Sequence, residues 1–285
     1  MKILEYKDNV FPESLKSIED CPKRLYIEGN LNILNKCGIA VVGSRNCSNY
    51  GEKWCKKFVK DLLEYDLVIV SGMAKGIDSI AHRTALKYGG KTIAVLPSGF
   101  NNIYPKENLD LYKKIIDLDG AVISEYEPNI SADSEKFLER NRIVSGLSIA
   151  TLVIEAEYRS GTSVTARITK EQGREVFCVP GSLDSSKSIG TNRMIKEGAK
   201  MVTLIEDIIQ NYNFLKKTFV VDKVQMDEVE EKYKDVFELI SDVPVEFEEL
   251  IKKSNLKVSD LMSKLTMLEL ENKIKRLSGN RFIRR

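Results

Sequence analysis

Between residues 38 and 203 the chain alternates short, mostly apolar runs with longer stretches of helical spacing. The runs are Ile39-Ala40-Val41-Val42, Leu67-Val68-Ile69-Val70, Thr92-Ile93-Ala94-Val95-Leu96, Ala121-Val122-Ile123-Ser124-Glu125, residues 149–155, Glu175-Val176-Phe177-Cys178-Val179 and Met201-Val202-Thr203. Apolar residues at consecutive positions, not at every second one, predict strands buried on both faces. Between them, residues 50–65, 78–88, 105–117 and a stretch ending near 172 read as helices. In the first of these, Trp54, Phe58, Leu62 and Tyr65 recur at helical spacing and should face the sheet. Pro105 suits the first position of its helix. Strands alternating with helices predict an α/β domain, a parallel sheet with helices on both faces.

The flanks follow other patterns. Residues 1–37, interrupted by Pro12 and Pro22, read as an N-terminal arm that packs on a main domain of residues 38–211 through Leu25, Tyr26 and Ile27. Residues 212–232 lose regularity, end in the acidic run Asp227-Glu228-Val229-Glu230-Glu231, and read as a linker. From 233 to 285 helical spacing returns in three short segments, followed by a basic hairpin that turns at Gly279-Asn280, a winged-helix-like pattern. The basic tail (Lys273, Lys275, Arg276, Arg281, Arg284, Arg285) suits DNA, but the third helix carries Asp260, Glu269 and Glu271. Phosphate attraction dominates duplex affinity, so those acids point to a partner or accessory role instead.

Composition narrows the choice of function. The 285 residues are 42% apolar and 30% charged, as in ordinary globular proteins, and a net charge of +2 requires any anion site to be a local cluster. No apolar run nears the ~20 residues of a membrane span, and the first residues lack the apolar core of a secretion signal. Five cysteines without a C-x-x-C pair read as reduced thiols of a cytoplasmic protein, not as a disulfide frame or a zinc site.

Ligands of parallel sheets bind beyond the carboxyl ends of the strands, where this chain places Gly43-Ser44-Arg45, Ser71-Gly72, Pro97-Ser98-Gly99, Ser160-Gly161-Thr162 and Pro180-Gly181. Gly43 permits close backbone approach, Ser44 offers a hydroxyl and Arg45 a fork for phosphate oxygens; the alternative is a plain turn with an exposed arginine. Arg140-Asn141-Arg142 sits beside Phe137, either a stacking surface for a base or a core aromatic. The two arginines either flank a passing backbone or pair with Glu125 or Glu155 to hold the edge in shape. Lys106 opposes the dipole of its helix, a placement that hints at function. Ser160, Thr162 and Ser163 are N-cap candidates, at a helix start whose free amides attract anions.

Catalytic patterns are poorer. Asp78 and His82 lie one turn apart and can hydrogen-bond, but no nucleophile or metal partner stands at a matching spacing, so helix packing is preferred. Glu155 has no paired carboxylate. Gly72-Met73-Ala74-Lys75-Gly76 is not G-x-G-x-x-G, and Gly90-Lys91-Thr92 precedes its strand, the wrong side for cradling phosphate. These features favour a backbone-phosphate binder over a catalyst.

One ordered series of short motifs goes further. Val42-Gly43-Ser44-Arg45 is followed by Ser71-Gly72-Met73-Ala74-Lys75-Gly76-Ile77-Asp78 with Ala81-His82, then Tyr104-Pro105 with Asn108. Ser124-Glu125, Phe137 with Arg140-Asn141-Arg142-Ile143, Glu155-Ala156 with Ser160-Gly161-Thr162, Val179-Pro180-Gly181 and Gly190-Thr191-Asn192 complete it. Over about residues 20–208 the chain resembles the DNA-processing protein A family (DprA, also called Smf) in these motifs and their order. The resemblance implies an extended Rossmann-like domain that binds single-stranded DNA, without a cofactor or catalysis. It also implies a homodimer that hands the strand to the RecA recombinase during natural transformation. Its phosphate contacts map to Gly43, Ser44 and Arg45, then to Lys106, Arg140 and Arg142; Ser71, Gly72, Phe137, Asn141, Gly161 and Thr162 complete the expected DNA-binding set. Two alternatives are a nucleotide sensor and an enzyme similar to the nucleoside phosphoribohydrolases. The enzymes' Pro-Gly-Gly-x-Gly-Thr-x-x-Glu signature loses its double glycine and glutamate in Arg159-Ser160-Gly161-Thr162-Ser163-Val164-Thr165.

Overall fold

The computed structural model describes residues 1–218, 231–241, 243–271 and 273–284. Most of the expected linker lies outside the described residues. The chain divides into two compact units, Met1–Asp222 and Lys223–Arg285.

In the larger unit, described strands β1 (Lys2–Glu5), β2 (Arg24–Gly29), β3 (Gly38–Val42), β4 (Val68–Ser71), β5 (Thr92–Val95), β6 (Ala121–Ser124), β7 (Ala150–Val153), β8 (Glu175–Cys178) and β9 (Lys200–Met201) form one sheet. Their order is β1-β2-β6-β5-β4-β3-β7-β8-β9, parallel from β6 to β9. The helices are α1 (Glu13–Lys16), α2 (Asn49–Leu63), α3 (Ile77–Lys87), α4 (Leu109–Asp117), α5 (Ser134–Gly146), α6 (Gly161–Glu171), α7 (Ile189–Lys196) and α8 (Glu206–Ile209).

Alternation along β3 divides the core as a pleated strand must. Ala40 and Val42 pack with Ile143, Val144 and Leu147 from around α5 and with Ala166 of α6. Ile39 and Val41 pack instead with Cys55, Phe58, Val59 and Leu62 of α2 and with Ile77, Ala81 and Ala85 of α3. The runs are mostly apolar at consecutive positions because both faces are covered by helices. Phe58 and Leu62 are fully buried, while Trp54 and Tyr65 pack only partly against the same core.

Two local expectations change, and one helix joins those expected. Residues 1–37 are not an arm lying on the domain: β1 pairs antiparallel with β2, and β2 antiparallel with β6, so the sheet is mixed at this edge. Pro105 does not open a helix, because a single 3₁₀ turn, Lys106–Asn108, precedes α4. Residues 134–146 form a full helix, started by Asp133, whose carboxylate accepts the Lys136 amide at 2.9 Å.

The smaller unit contains α9 (Glu231–Glu238), β10 (Val245–Glu246), α10 (Phe247–Ser254), α11 (Val258–Leu270), β11 (Ile274–Leu277) and β12 (Arg281–Arg284). Val236, Ile240, Leu250, Leu261, Leu265, Leu268, Ile274 and Phe282 make its own core, and its strand order is β10-β12-β11. The β11–β12 turn needs left-handed backbone at Gly279 (φ 77°) and Asn280 (φ 55°), which suits this residue pair. This is a winged helix.

Candidate nucleic-acid interface

The strand order creates the crevice. From β3 the chain moves outward through β4, β5 and β6, then returns to lay β7 on the other side of β3. The loops after β3 and β7 therefore leave in opposite directions, and a gap opens beyond their carboxyl ends. A cavity of about 380 Å³ lies there. The turn after β3 supplies Gly43, Ser44, Arg45 and Asn46; the β4–α3 loop supplies Gly72 and Ala74. Helix α5 adds Phe137, Leu138, Arg140, Asn141 and Val144, and the opposite wall is Glu157 with Ser160, Gly161, Thr162 and Thr165.

The turn after β3 is locked from below. A Cβ on Gly43 would stand 2.6 Å from Ile77 Cγ1, so only glycine lets α3 approach. The amide of Ile77 donates to the Ser44 carbonyl (3.2 Å), and the buried Ser44 hydroxyl accepts the Asn46 amide (3.2 Å). Arg45 is left exposed, with its guanidinium carbon 4.6 Å from the centre of the Phe137 ring. Tyr104 meets the same ring edge-on at 5.6 Å. Stacking fixes a guanidinium plane without using its N–H donors. Among the described residues no carboxylate pairs with Arg45, so those donors remain available to a phosphate.

Arg140 has the opposite environment. Only 4% exposed, it donates through Nη1 to the carbonyls of Gly72 (2.5 Å) and Val95, and through Nε to Asn141 Oδ1 (3.3 Å). Gly72 is required here, since a Cβ would lie 2.5 Å from the guanidinium nitrogens. Asp78, also buried, accepts the amides of Gly72 (3.2 Å) and Ala74 (3.3 Å). Burial pushes the Asp78 carboxyl up, against the lowering charge of Arg140. Burial likewise pulls Arg140 down to about 10, with Asp78 opposing that and Arg45 adding to it. Arg140 therefore stays charged near neutrality, but its donors hold the β4 and β5 loops.

Several expected residues fall outside the cavity. Arg142 points away, its Nη2 donating to both carboxylate oxygens of Glu125 (2.7 and 2.6 Å) and its Nε reaching Asp20 at 3.0 Å. The pairing with Glu125 is the structural alternative raised for these arginines, whereas Glu155 serves another group. Its buried carboxylate accepts the amide (2.9 Å) and hydroxyl of Ser48, fixing the start of α2. Ser71 is fully buried, with its hydroxyl donating to the Val41 carbonyl at 2.7 Å. Lys106 is exposed on the turn before α4 and forms no part of the wall. Asp78 and His82 do not bond to each other; His82 Nδ1 lies 2.7 Å from Thr92 Oγ1, and burial drives its pKa down to about 3. It is a neutral packing residue at physiological pH.

At α6 the expected caps do not form. The Ser160 hydroxyl meets that of Ser163 at 3.4 Å rather than a backbone amide, so no side chain covers the helix start. A Cβ on Gly161 would meet nothing within 4 Å. Uncapped amides at a helix start form an electropositive patch beside the cavity. Leu138, Val144, Thr165 and Glu157 also line the space and were missed in the sequence. The signal for part of this was spacing: 137, 141 and 144 share a face once residues 134–146 are read as one helix.

Among the described residues no group of His, Cys, Asp and Glu is placed to hold a metal ion, and no helix is long and apolar enough to cross a membrane.

Residues 2–213 match the family described as DNA recombination-mediator protein A, and residues 225–280 match the DprA winged helix domain. The DNA processing protein DprA of Streptococcus pneumoniae is 44% identical over 207 residues, covering 73% of each chain. Protein Smf of Escherichia coli is 43% identical over 204 residues, 72% of this chain but 54% of that protein, so the match spans about half of that relative's length. The X-ray structure of DprA from S. pneumoniae superposes with a TM-score of 0.71 at 43% identity over 75% of both chains. DprA from Helicobacter pylori, whose single-stranded DNA binding mode was studied by structure, gives 0.66 at 29% identity, covering 74% of this chain and 95% of that one.

Proposed function

We propose that this chain, which belongs to the DNA recombination-mediator protein A family, holds single-stranded DNA by its backbone in the cavity beyond β3 and β7. The observation that carries the proposal is Arg45: exposed, stacked on Phe137, and facing a glycine-lined space beside the uncapped start of α6. A phosphate there would meet a guanidinium fork and backbone amides together. A base beside it would find the Phe137 ring or the plane of Arg45 itself.

Binding without catalysis is part of the proposal. Asp78 is engaged by two amides, Glu155 by Ser48, and His82 is neutral against Thr92. None of these is left to act as a general acid or base on a bound strand. The family's role supplies the remainder: we infer a cytoplasmic homodimer that passes the strand to the RecA recombinase during natural transformation. For the winged helix we propose a partner-contact role. The exposed side of α11 presents Asp260 and Glu269 with Met267 and Leu270, a poor match for phosphates.

The test is fluorescence anisotropy with single- and double-stranded oligonucleotides across a salt series. Single strands should bind preferentially, and affinity should fall steeply with salt as counterions are released. Arg45→Ala should weaken single-strand binding by roughly ten- to a hundredfold, the worth of a charge-assisted hydrogen bond. An unchanged affinity would remove the proposed site. Free base released from nucleoside monophosphates would instead establish the enzyme.

A further inference from the structure

We propose that the strand leaves the cavity across the β7–α6 loop, where Tyr158 forms a second stacking platform clasped by Arg159 and Arg193. This rests on the cavity being a single-strand site. At about 380 Å³ the cavity lies near the small end of ligand pockets, close to the scale of a single nucleotide, so a longer strand must continue over a rim.

Glu157 and Ser160 line the cavity, and Tyr158 and Arg159 stand between them in the chain. Arg159 has left-handed backbone (φ 55°), uncommon for a residue with a long side chain, which turns the loop sharply before α6. Tyr158 is 51% exposed. Its ring nevertheless has two guanidinium groups near its centre, Arg159 at 5.2 Å and Arg193 at 5.1 Å.

The delivery of Arg193 is built into the fold. The Gly190 amide donates to the Ala156 carbonyl (2.8 Å), and the Ala156 amide donates to the Lys187 carbonyl (2.9 Å). A Cβ on Gly190 would lie 2.6 Å from the carbonyl oxygens of both Ala156 and Glu157, so the start of α7 sits directly against the loop. Arg193 then reaches Tyr158 while Glu197, one turn further along, steadies it at 2.6 Å. Arg159 has no carboxylate partner among the described residues and is left for a phosphate.

The pairing repeats the one across the cavity. On the α5 side a guanidinium lies over Phe137; on the α6 side two lie over Tyr158. Ser160, Gly161 and Thr162 at the uncapped start of α6, directly after this loop, line the same cavity as Phe137. Aromatic rings and arginine planes accept any base, which suits a path that does not read sequence.

Strand length separates this proposal from the cavity itself. Wild type, Tyr158→Leu, Tyr158→Phe, Arg159→Gln and Arg45→Ala would be titrated with oligothymidines of about four and about twelve nucleotides. Tyr158→Leu and Arg159→Gln should bind the short strand like wild type and lose about tenfold on the long one, while Tyr158→Phe keeps both affinities. Arg45→Ala should lose on both. Wild-type affinity of Tyr158→Leu for the long strand, or an equal loss on both lengths, overturns the second platform. Wild-type binding by Arg45→Ala with a loss only in Tyr158→Leu would retain the rim and overturn the cavity. Unchanged thermal midpoints for the Tyr158 variants would show that the losses come from contact and not from folding.

Discussion

The turn after β3 and helix α5 both bring arginine to one cavity, but they leave it in different states. Arg45 comes from a turn in which the Ser44 carbonyl accepts the Ile77 amide and the Ser44 hydroxyl accepts the Asn46 amide, and its guanidinium rests on an aromatic face. Arg140 comes from a buried helix face and donates to the strand-end carbonyls of Gly72 and Val95, with Asp78 close enough to act on its charge. The same side chain keeps its donors free in one place and is a structural brace in the other. What separates them is the number of acceptors within reach, and buried carbonyls claim a donor before any ligand can.

The largest effect should come from removing the brace. Arg140→Ala leaves the Gly72 and Val95 carbonyls without this donor, and Asp78 buried without a nearby cation. Breaking such an arrangement from one side costs about 3–5 kcal/mol. Chemical denaturation should show the larger unit destabilised on that scale. A cost below about 1 kcal/mol would place Arg140 with the ligand groups and erase the distinction.

Arg142→Ala should cost less, about 1–2 kcal/mol, because the lost ion pair with Glu125 is partly solvated and Asp20 is well exposed. Its affinity for single strands should match wild type, since the side chain points away from the cavity. Stability and binding measured on one preparation decide the point. A tenfold loss of affinity at full stability would return Arg142 to the interface.

How much of this was legible beforehand depends on the range of the cause. The strands β3 to β8 were readable because burial on both faces writes continuous apolar runs. The turn at Gly43 was readable because the close approach of α3 demands glycine there. The pairing of β1 and β2 was not: Lys2-Ile3-Leu4-Glu5 is short and mixed, and β2 finds its place only beside β6, about a hundred residues away. The crevice itself depends on β7 returning next to β3, a fact of strand order that no local pattern carries. Arg140 and Arg142 looked alike because the carbonyls that claim the first belong to Gly72 and Val95, and the carboxylate that claims the second lies in Glu125.

The smallest stability effect should be that of Arg45→Ala, and it completes the contrast. The side chain is exposed, accepts no structural load from a buried carbonyl, and gives up only its stacking on Phe137. Exposed cation–π contacts are worth about 0.5–1 kcal/mol, so denaturation should move by no more than that while single-strand affinity falls. Arg45→Lys sharpens the point. It restores the charge but not the planar fork, so it should recover only part of the affinity at unchanged stability. Full recovery would mean that the site asks for a positive charge and nothing more. A destabilisation of Arg45→Ala equal to that of Arg140→Ala would mean that the turn, like the helix, holds its arginine for the fold.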